Sequence, residues 1–231
     1  SIDKPCVAYH DHTDKKSSHN ILKRLKFGDD VALISDAGTP LISDPGYRLV
    51  SEARQQGFTV IPIPGASAVI AALSVAGLPT DKFTFIGFLP AKTTQRKTSL
   101  SAIKGSTETM VCYEAPHRIA DTLSDMVDVF GPDRPGFMAR EITKNFETYL
   151  YGTMAELLEI VTADSNQQRG EIVLVVGGAL EETETVSVDA EKILGLLLKE
   201  LPLTKAASLT AKITGGDKKQ LYQLGLSLQD K

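Results

Sequence analysis

Ser35-Asp36-Ala37-Gly38-Thr39-Pro40-Leu41-Ile42-Ser43-Asp44-Pro45-Gly46 is the stretch on which the reading of this chain turns. It holds two Gly, two Pro, two Asp, two Ser and one Thr in twelve residues. The apolar run Val31–Ile34 precedes it, and a helix pattern, Tyr47–Gln56 stopped by Gly57, follows. A plain strand-to-helix connection needs only about 2–6 residues. In open α/β sheets, ligands bind beyond the carboxyl ends of strands, which is where this loop falls. A second turn, Pro62-Ile63-Pro64-Gly65-Ala66-Ser67, follows the next strand pattern, Phe58–Ile63. Two such loops at one sheet edge make a cleft. Gly38 and Gly65 let backbone approach a ligand closely. Pro40, Pro45 and Pro64 stiffen the walls. The chain has no G-x-G-x-x-G and no P-loop lysine. Asp36 and Asp44 would repel a phosphate, so a ligand with cationic character suits the cleft better.

Outward from the loop, strand and helix patterns alternate. Cys6–Tyr9, Val31–Ile34 and Phe58–Ile63 read as strands. Asn20–Phe27, Tyr47–Gln56 and Ser67–Ala76 read as helices. This is parallel-sheet character, ending near residue 80. The pattern then becomes mixed. Phe83–Phe88, Met110–Tyr113, Gly136–Arg140, Phe146–Tyr151 and Ile172–Val176 read as strands. Thr94–Ile103, Pro116–Phe130 and Met154–Thr162 read as helices. The polar, acidic run at residues 181–185 reads as a linker. Three helix patterns follow it, Ala190–Leu201, Leu203–Ile213 and Asp217–Leu228. The expected organisation is a cofactor-binding α/β domain at 1–80, a second mixed α/β domain at 81–180, and a linker with a helical domain at 181–231.

Composition narrows the function classes. The chain has 231 residues, 42% hydrophobic and 23% charged, with a net charge of −4. It reads as an ordinary soluble globular protein, and any basic surface must be local. No apolar run approaches the roughly 18–20 residues of a membrane span. Cys6 and Cys112 sit in apolar runs with no metal-ligand spacing around them, which fits buried thiols in a reducing cytosol. No metal is expected.

A series of ordered motifs then sharpens the reading. SDAGTPLISDPG is followed by PIPGASAVIAALSVAGLP at 62–79, FIGFLPAK at 85–92 with Arg96 beyond it, YEAPHR at 113–118, AREITKNFET at 139–148 and RGE at 169–171. The tail carries LPLTKAASLTAKITGGDKKQLY at 201–222. Together they resemble the ribosomal RNA small-subunit (cytidine-2′-O)-methyltransferases of the tetrapyrrole methylase superfamily. The resemblance implies two α/β domains with S-adenosylmethionine between them. It also implies 2′-O-methylation of a cytidine in the decoding region of small-subunit RNA, in the cytoplasm, by a homodimer. Members of that family begin with a further strand and a Pro-Thr-Pro-Ile-Gly-Asn-type loop, neither of which this sequence contains. The first domain is therefore expected to lack its first strand, and turnover to suffer for it. Two other readings stay open: a methylase of the same superfamily acting on a tetrapyrrole or a protein, and a non-catalytic RNA-interaction protein.

The resemblance and the spacing give candidate residues. Ala37, Gly38, Thr39, Pro40 and Ile42 of the first loop, with Gly65, Ser67 and Ala68 of the second, are expected to cradle the cofactor. Tyr113 and Glu114 are expected to cover its adenosine. A ribose hydroxyl needs a base or a positioning network. Lys144, Glu141, Glu114 and His117 are the candidates, with His10, Asp11 and His12 as a further cluster. Lys92, Arg96, Lys97, Arg140, Lys218 and Lys219 are expected to contact RNA phosphates. Each has a plainer reading as well: core packing for Tyr113, a cap for Glu114, an ion pair for Glu141 and Lys144, and solvated faces for the lysines.

Overall fold

The computed structural model describes residues 3–10, 15–180 and 188–229. The chain divides into two compact units, Ser1–Gly178 and Ala179–Lys231. The first unit is built on one five-stranded sheet: β1 (Phe83–Phe88), β2 (Thr109–Glu114), β3 (Pro135–Arg140), β4 (Thr148–Thr153) and β5 (Ile172–Val176). The spatial order is β1-β2-β5-β3-β4. β1 and β2 are parallel, and the other three pairings are antiparallel. β5, all Ile, Val and Leu, is buried along its whole length. That continuous apolar run is what a central strand covered on both faces requires.

Strand residues alternate between two cores. On one face, Val111, Phe137, Ala139, Val173 and Val175 pack against Val69, Ala72, Leu73 and Ala76 of helix α3 (Ala68–Val75) and its end. On the other, Met110, Cys112, Met138, Ile172 and Leu174 meet three helices, α4 (Thr93–Ile103), α5 (Ile119–Phe130) and α6 (Met154–Ala163). The stripe of α5 is Ile119, Leu123, Met126 and Phe130, spaced to share one helical face. Thr153 and Glu156 close a capping box at the start of α6. A Cβ on Gly136 would lie 1.8 Å from the Met154 methyl, so this glycine lets α6 settle onto β3.

The first 80 residues depart from expectation. Helices α1 (Lys15–Lys26) and α2 (Tyr47–Gln55) form, and α3 follows them. Helices α1 and α2 enclose a small core of Leu22, Leu49 and Ala53 with Tyr9, Phe58 and Val60 at its rim. The expected strands at Cys6–Tyr9, Val31–Ile34 and Phe58–Ile63 are extended segments without a ladder. Ile34 is 78% and Ile63 82% exposed. An apolar run becomes a strand only when a neighbour pairs its backbone, and among the described residues these runs have no such neighbour. The mixed α/β reading of the rest holds, with boundaries shifted by one or two residues. The Pro116–Phe130 helix opens as a 3-10 turn, Pro116–Arg118, and a second 3-10 turn, Ser165–Gln168, was not expected.

The second unit is helical, as expected: α7 (Val188–Leu197), α8 (Leu203–Thr214) and α9 (Lys218–Gln229). Its core is Ala190, Leu194, Ala206, Ala207 and Leu221. Gly215, at φ 77°, ends α8 in the left-handed conformation, and Asp217 accepts from the amides of Lys219 and Gln220 to start α9. The acidic run at 181–185 lies outside the described residues.

Candidate functional site

Strand directions bring the motifs together. β1, β2 and β3 run the same way, so the loops after them leave from one sheet edge, where β5 and β4 begin. FIGFLPAK, YEAPHR, AREITKNFET and RGE therefore meet at that edge, although up to 86 residues separate them in sequence, from Phe85 to Glu171. The 35–46 loop reaches the same place. A Cβ on Gly87, at the bulge of β1, would lie 3.5 Å from Ser43 Oγ.

The two turn loops of the first 80 residues are joined. The Thr39 hydroxyl donates to the carbonyl of Ala66 at 2.9 Å. Ser35 Oγ lies 2.6 Å from Asp44 Oδ2 across the long loop, and the Ala37 amide donates to it. Leu33 and Leu41 close over buried Gly46. Gly38, at φ 72°, faces open space: nothing stands within 4 Å of where its Cβ would be. Pro40 is half-buried, and Ala37, Ile42 and Gly65 are exposed. Ser67 and Ala68 start α3. Neither α2 nor α3 has a side-chain cap hydrogen bond. Their first-turn amides are thus not closed off by a side chain, and such groups serve as donors to a ligand. Tyr113 stands beside this cradle in an aromatic group, 5.0 Å from Phe85 edge-on and 5.6 Å from Phe88. Burial raises the pKa of its hydroxyl, and the charges of Asp44 and then Glu171 raise it further, so the phenol stays neutral.

Several charged candidates are corrected by the structure. Glu114 was expected to touch cofactor or substrate, but its side chain is fully buried. The Ala115 amide and Arg118 occupy one oxygen, and Thr122 Oγ1 donates to the other at 2.6 Å. It clamps the YEAPHR turn. Arg96 is 1% exposed. Its guanidinium donates to Asp125 at 2.6 Å and to the carbonyls of Pro90 and Ala91, so it pins the FIGFLPAK loop instead of meeting phosphate. Arg140, also buried, donates to Gln167 and Thr148. Lys97 is half-buried and ion-paired to Asp128 at 2.6 Å, and that hydrogen bond holds its pKa above the ordinary value. The longer-range contacts among these were invisible in sequence because their partners lie 8–31 residues away.

The β3–β4 turn brings Glu141 and Lys144 together. Lys144 Nζ donates to Glu141 Oε1 at 2.8 Å and to Glu171 Oε2 at 3.0 Å, and the Glu171 amide also donates to Glu141. Lys144 lowers the carboxylate's pKa, and the carboxylates raise that of the lysine. A lysine so held stays protonated near neutral pH, which removes it as a base. A Cβ on Gly170 would lie 2.4 Å from Glu141, so the glycine of RGE makes room for the pair. His117 and Lys92 are exposed at this same edge. Lys218 and Lys219 are exposed on the first turn of α9, in the other unit. Asp11 and His12 lie outside the described residues. Among the described residues, no group of three or more His, Cys, Asp or Glu is placed to hold a metal ion, and no helix is long and apolar enough to cross a membrane.

Comparison with known proteins agrees with this geometry. Residues 8–158 match the family model described as Tetrapyrrole (Corrin/Porphyrin) Methylases, and residues 184–229 match the RsmI C-terminal HTH domain. Ribosomal RNA small subunit methyltransferase I of Pseudomonas aeruginosa is 51% identical over all of this chain and 82% of its own length. The protein of the same description from Escherichia coli O157:H7 is 46% identical over 99% of this chain and 80% of its own length. Among solved structures, the methyltransferase CobJ superposes with a TM-score of 0.55 at 19% identity, covering 73% of each chain, a likeness of fold. With the motif loops gathered at one sheet edge and this identity along the whole chain, the protein belongs to the ribosomal RNA small subunit methyltransferase I family of tetrapyrrole methylases.

Proposed function

We propose that the chain transfers a methyl group from S-adenosylmethionine to the 2′-oxygen of a cytidine ribose in the decoding region of small-subunit ribosomal RNA. The observation that carries this is identity of 51% over the whole chain with a ribosomal RNA small subunit methyltransferase. S-adenosylmethionine supplies an electrophilic methyl on a sulfonium. The cradle suits such a ligand. Gly38 leaves open space, the helix starts at Ser67 and Ala68 offer amides, and Asp44 places negative charge nearby. Thr39, by holding Ala66, keeps the two loops at a fixed separation. Tyr113, with Phe85 and Phe88, offers an apolar wall for an adenine ring.

The attacking hydroxyl must lose a proton. With Glu114 enclosed and Lys144 held protonated, His117 is our candidate base. Lys144 then serves to stabilise negative charge developing on the oxygen, and Glu141 orients it. The residues left to meet phosphate are Lys92 at the sheet edge and Lys218 and Lys219 of the helical unit. We further read the active species as a cytoplasmic homodimer, with a division of the first unit near residue 80. The test is methylation of small-subunit particles lacking the modification, using labelled S-adenosylmethionine, with the product mapped by nuclease digestion and mass spectrometry. A 2′-O-methylcytidine in the decoding region is the expected product. Transfer to the base, or to a tetrapyrrole alone, overturns the reading. His117→Ala should lower turnover by about 10²-fold or more, and sedimentation velocity reports the association state.

A further inference from the structure

Once Arg96 and Arg140 are enclosed and Lys97 is paired, few of the expected cations remain free for RNA. A different surface supplies them. From Lys15 to Gly28 the sequence has five Lys or Arg, one His and no acid, in a chain of net charge −4. Asp14 precedes this stretch, and Asp29 and Asp30 follow it. Helix α1 spans most of it. Its inner face, Ile21, Leu22 and Leu25, is used in the core shared with Leu49 and Ala53 of α2. Its outer face presents His19, Lys23, Arg24 and Lys26, all exposed. Phe27, at the helix end, is 77% exposed, with the Lys23 ammonium 5.8 Å from its ring centroid. Its amide donates to the carbonyls of Lys23 and Arg24, so the backbone under the ring is fixed.

The helix dipole accounts for part of this. Cations in a last turn are favoured. It does not account for His19 earlier in the helix, nor for a large aromatic ring left in water. A merely solvated helix interleaves acids with its lysines at spacing four. A cationic face with an exposed aromatic ring is what proteins offer to a nucleic-acid strand: ammonium and guanidinium groups for phosphates, a ring for an unpaired base.

We propose that the outer face of α1 is a docking surface for the phosphate backbone of the substrate RNA, with Phe27 stacking on an unpaired base. This rests on the ribosomal RNA reading above. RNA is favoured over a lipid surface because the helix has already committed its apolar face to the protein core, leaving nothing to sink into acyl chains.

The test compares the wild-type chain with Lys23→Gln/Arg24→Gln/Lys26→Gln and with Phe27→Ala. Binding to small-subunit particles is measured across a salt series, and KM and kcat are measured with the same particles. The triple variant should shallow the log–log salt slope by about 2–3 and raise KM at least about tenfold, with kcat and affinity for S-adenosylhomocysteine kept. Phe27→Ala should weaken binding about tenfold without changing the slope, and Phe27→Tyr should restore it. Wild-type salt slopes and KM in both variants overturn the proposal. So does loss of binding to phosphatidylcholine–phosphatidylserine vesicles with particle binding intact, which would make the face a lipid contact. If the wild-type chain neither binds nor methylates the particles, the ribosomal RNA reading itself is what fails.

Discussion

Leu41 and Ser43 in the 35–46 loop, and Glu141 and Thr143 in the β3–β4 turn, are two pairs of non-glycine residues spaced two apart, all at positive φ. Left-handed backbone is uncommon for such residues and persists only where the surroundings hold it. The surroundings differ. In the long loop, the strained pair lies between Gly38 and Gly46, and few hydrogen bonds cross it. Its glycine at 38 opens onto empty space. In the turn, strain is locked by two ion pairs from Lys144, by Glu147 accepting from the Thr143 amide at 2.5 Å, and by Glu171 on both sides of Glu141. Its glycine at 170 is filled by a carboxylate. Strain beside an open glycine leaves unfilled space, which is where our proposal puts the cofactor. Strain inside a saturated network fixes a surface.

A buried clamp at the same edge sets the upper limit for what either segment contributes. Glu114→Ala leaves Arg118 without its carboxylate and Thr122 without an acceptor, and should cost about 3–5 kcal/mol in denaturant unfolding. If the cost is under about 1 kcal/mol, enclosure at this edge is weaker than the contacts imply.

The glycines test the contrast directly. Gly170→Ala puts a methyl into Glu141 at φ 78° and should cost about 3 kcal/mol. Gly38→Ala carries only the left-handed penalty, about 1–2 kcal/mol, because its methyl meets nothing. In calorimetry with S-adenosylhomocysteine the order should reverse, with Gly38→Val harming affinity more than Gly170→Ala. Equal effects in both measurements would erase the distinction between the segments.

Acid should loosen the turn. Lys144, then the Glu171 amide, hold the Glu141 pKa below its ordinary 4.5. The linked stabilisation is complete above 4.5 and is lost as pH falls through the lower folded-state value. The stability difference between wild type and Glu141→Gln should therefore shrink as pH drops through that window. A difference that stays constant to low pH would mean the carboxylate charge is not what braces the turn. Least in size, Lys92→Ala should reduce the salt slope of particle binding by about 1. An unchanged slope would leave Lys92 a solvated side chain.

The contrast also explains what the sequence could and could not disclose. β5 was legible to the residue, because Ile172–Val176 is a continuous apolar run bounded by Glu171 and Gly177. Helices α5, α6 and α8 were legible from periodic stripes and their stops. The three N-terminal runs misled, since apolar composition reports what a strand is made of and not whether a partner pairs with it. That the 35–46 and 62–67 segments are turns was legible from Gly38, Gly65 and the prolines; their role toward the cofactor stays part of our proposal. The left-handed Leu41 and Ser43 were not, because neither residue type advertises that conformation. Charged candidates were hardest. Arg96 and Glu114 look the same in sequence whether they face RNA or close on Asp125 and Thr122. The basic face of α1 does have a signal, a stretch with no acid from Lys15 to Gly28, which lies outside the loop motifs.

The strand order β1-β2-β5-β3-β4 has a consequence for synthesis on the ribosome. The strand that joins β2 to β3 is the last to be translated. Until Ile172–Val176 leaves the exit tunnel, the nascent chain holds two separate ribbons with open edges, β1 with β2 and β3 with β4. At about 5–20 residues per second, the 62 residues from Glu114 to Val176 keep the β2 edge waiting for roughly 3–12 seconds, and the 36 from Arg140 keep the β3 edge waiting for roughly 2–7 seconds.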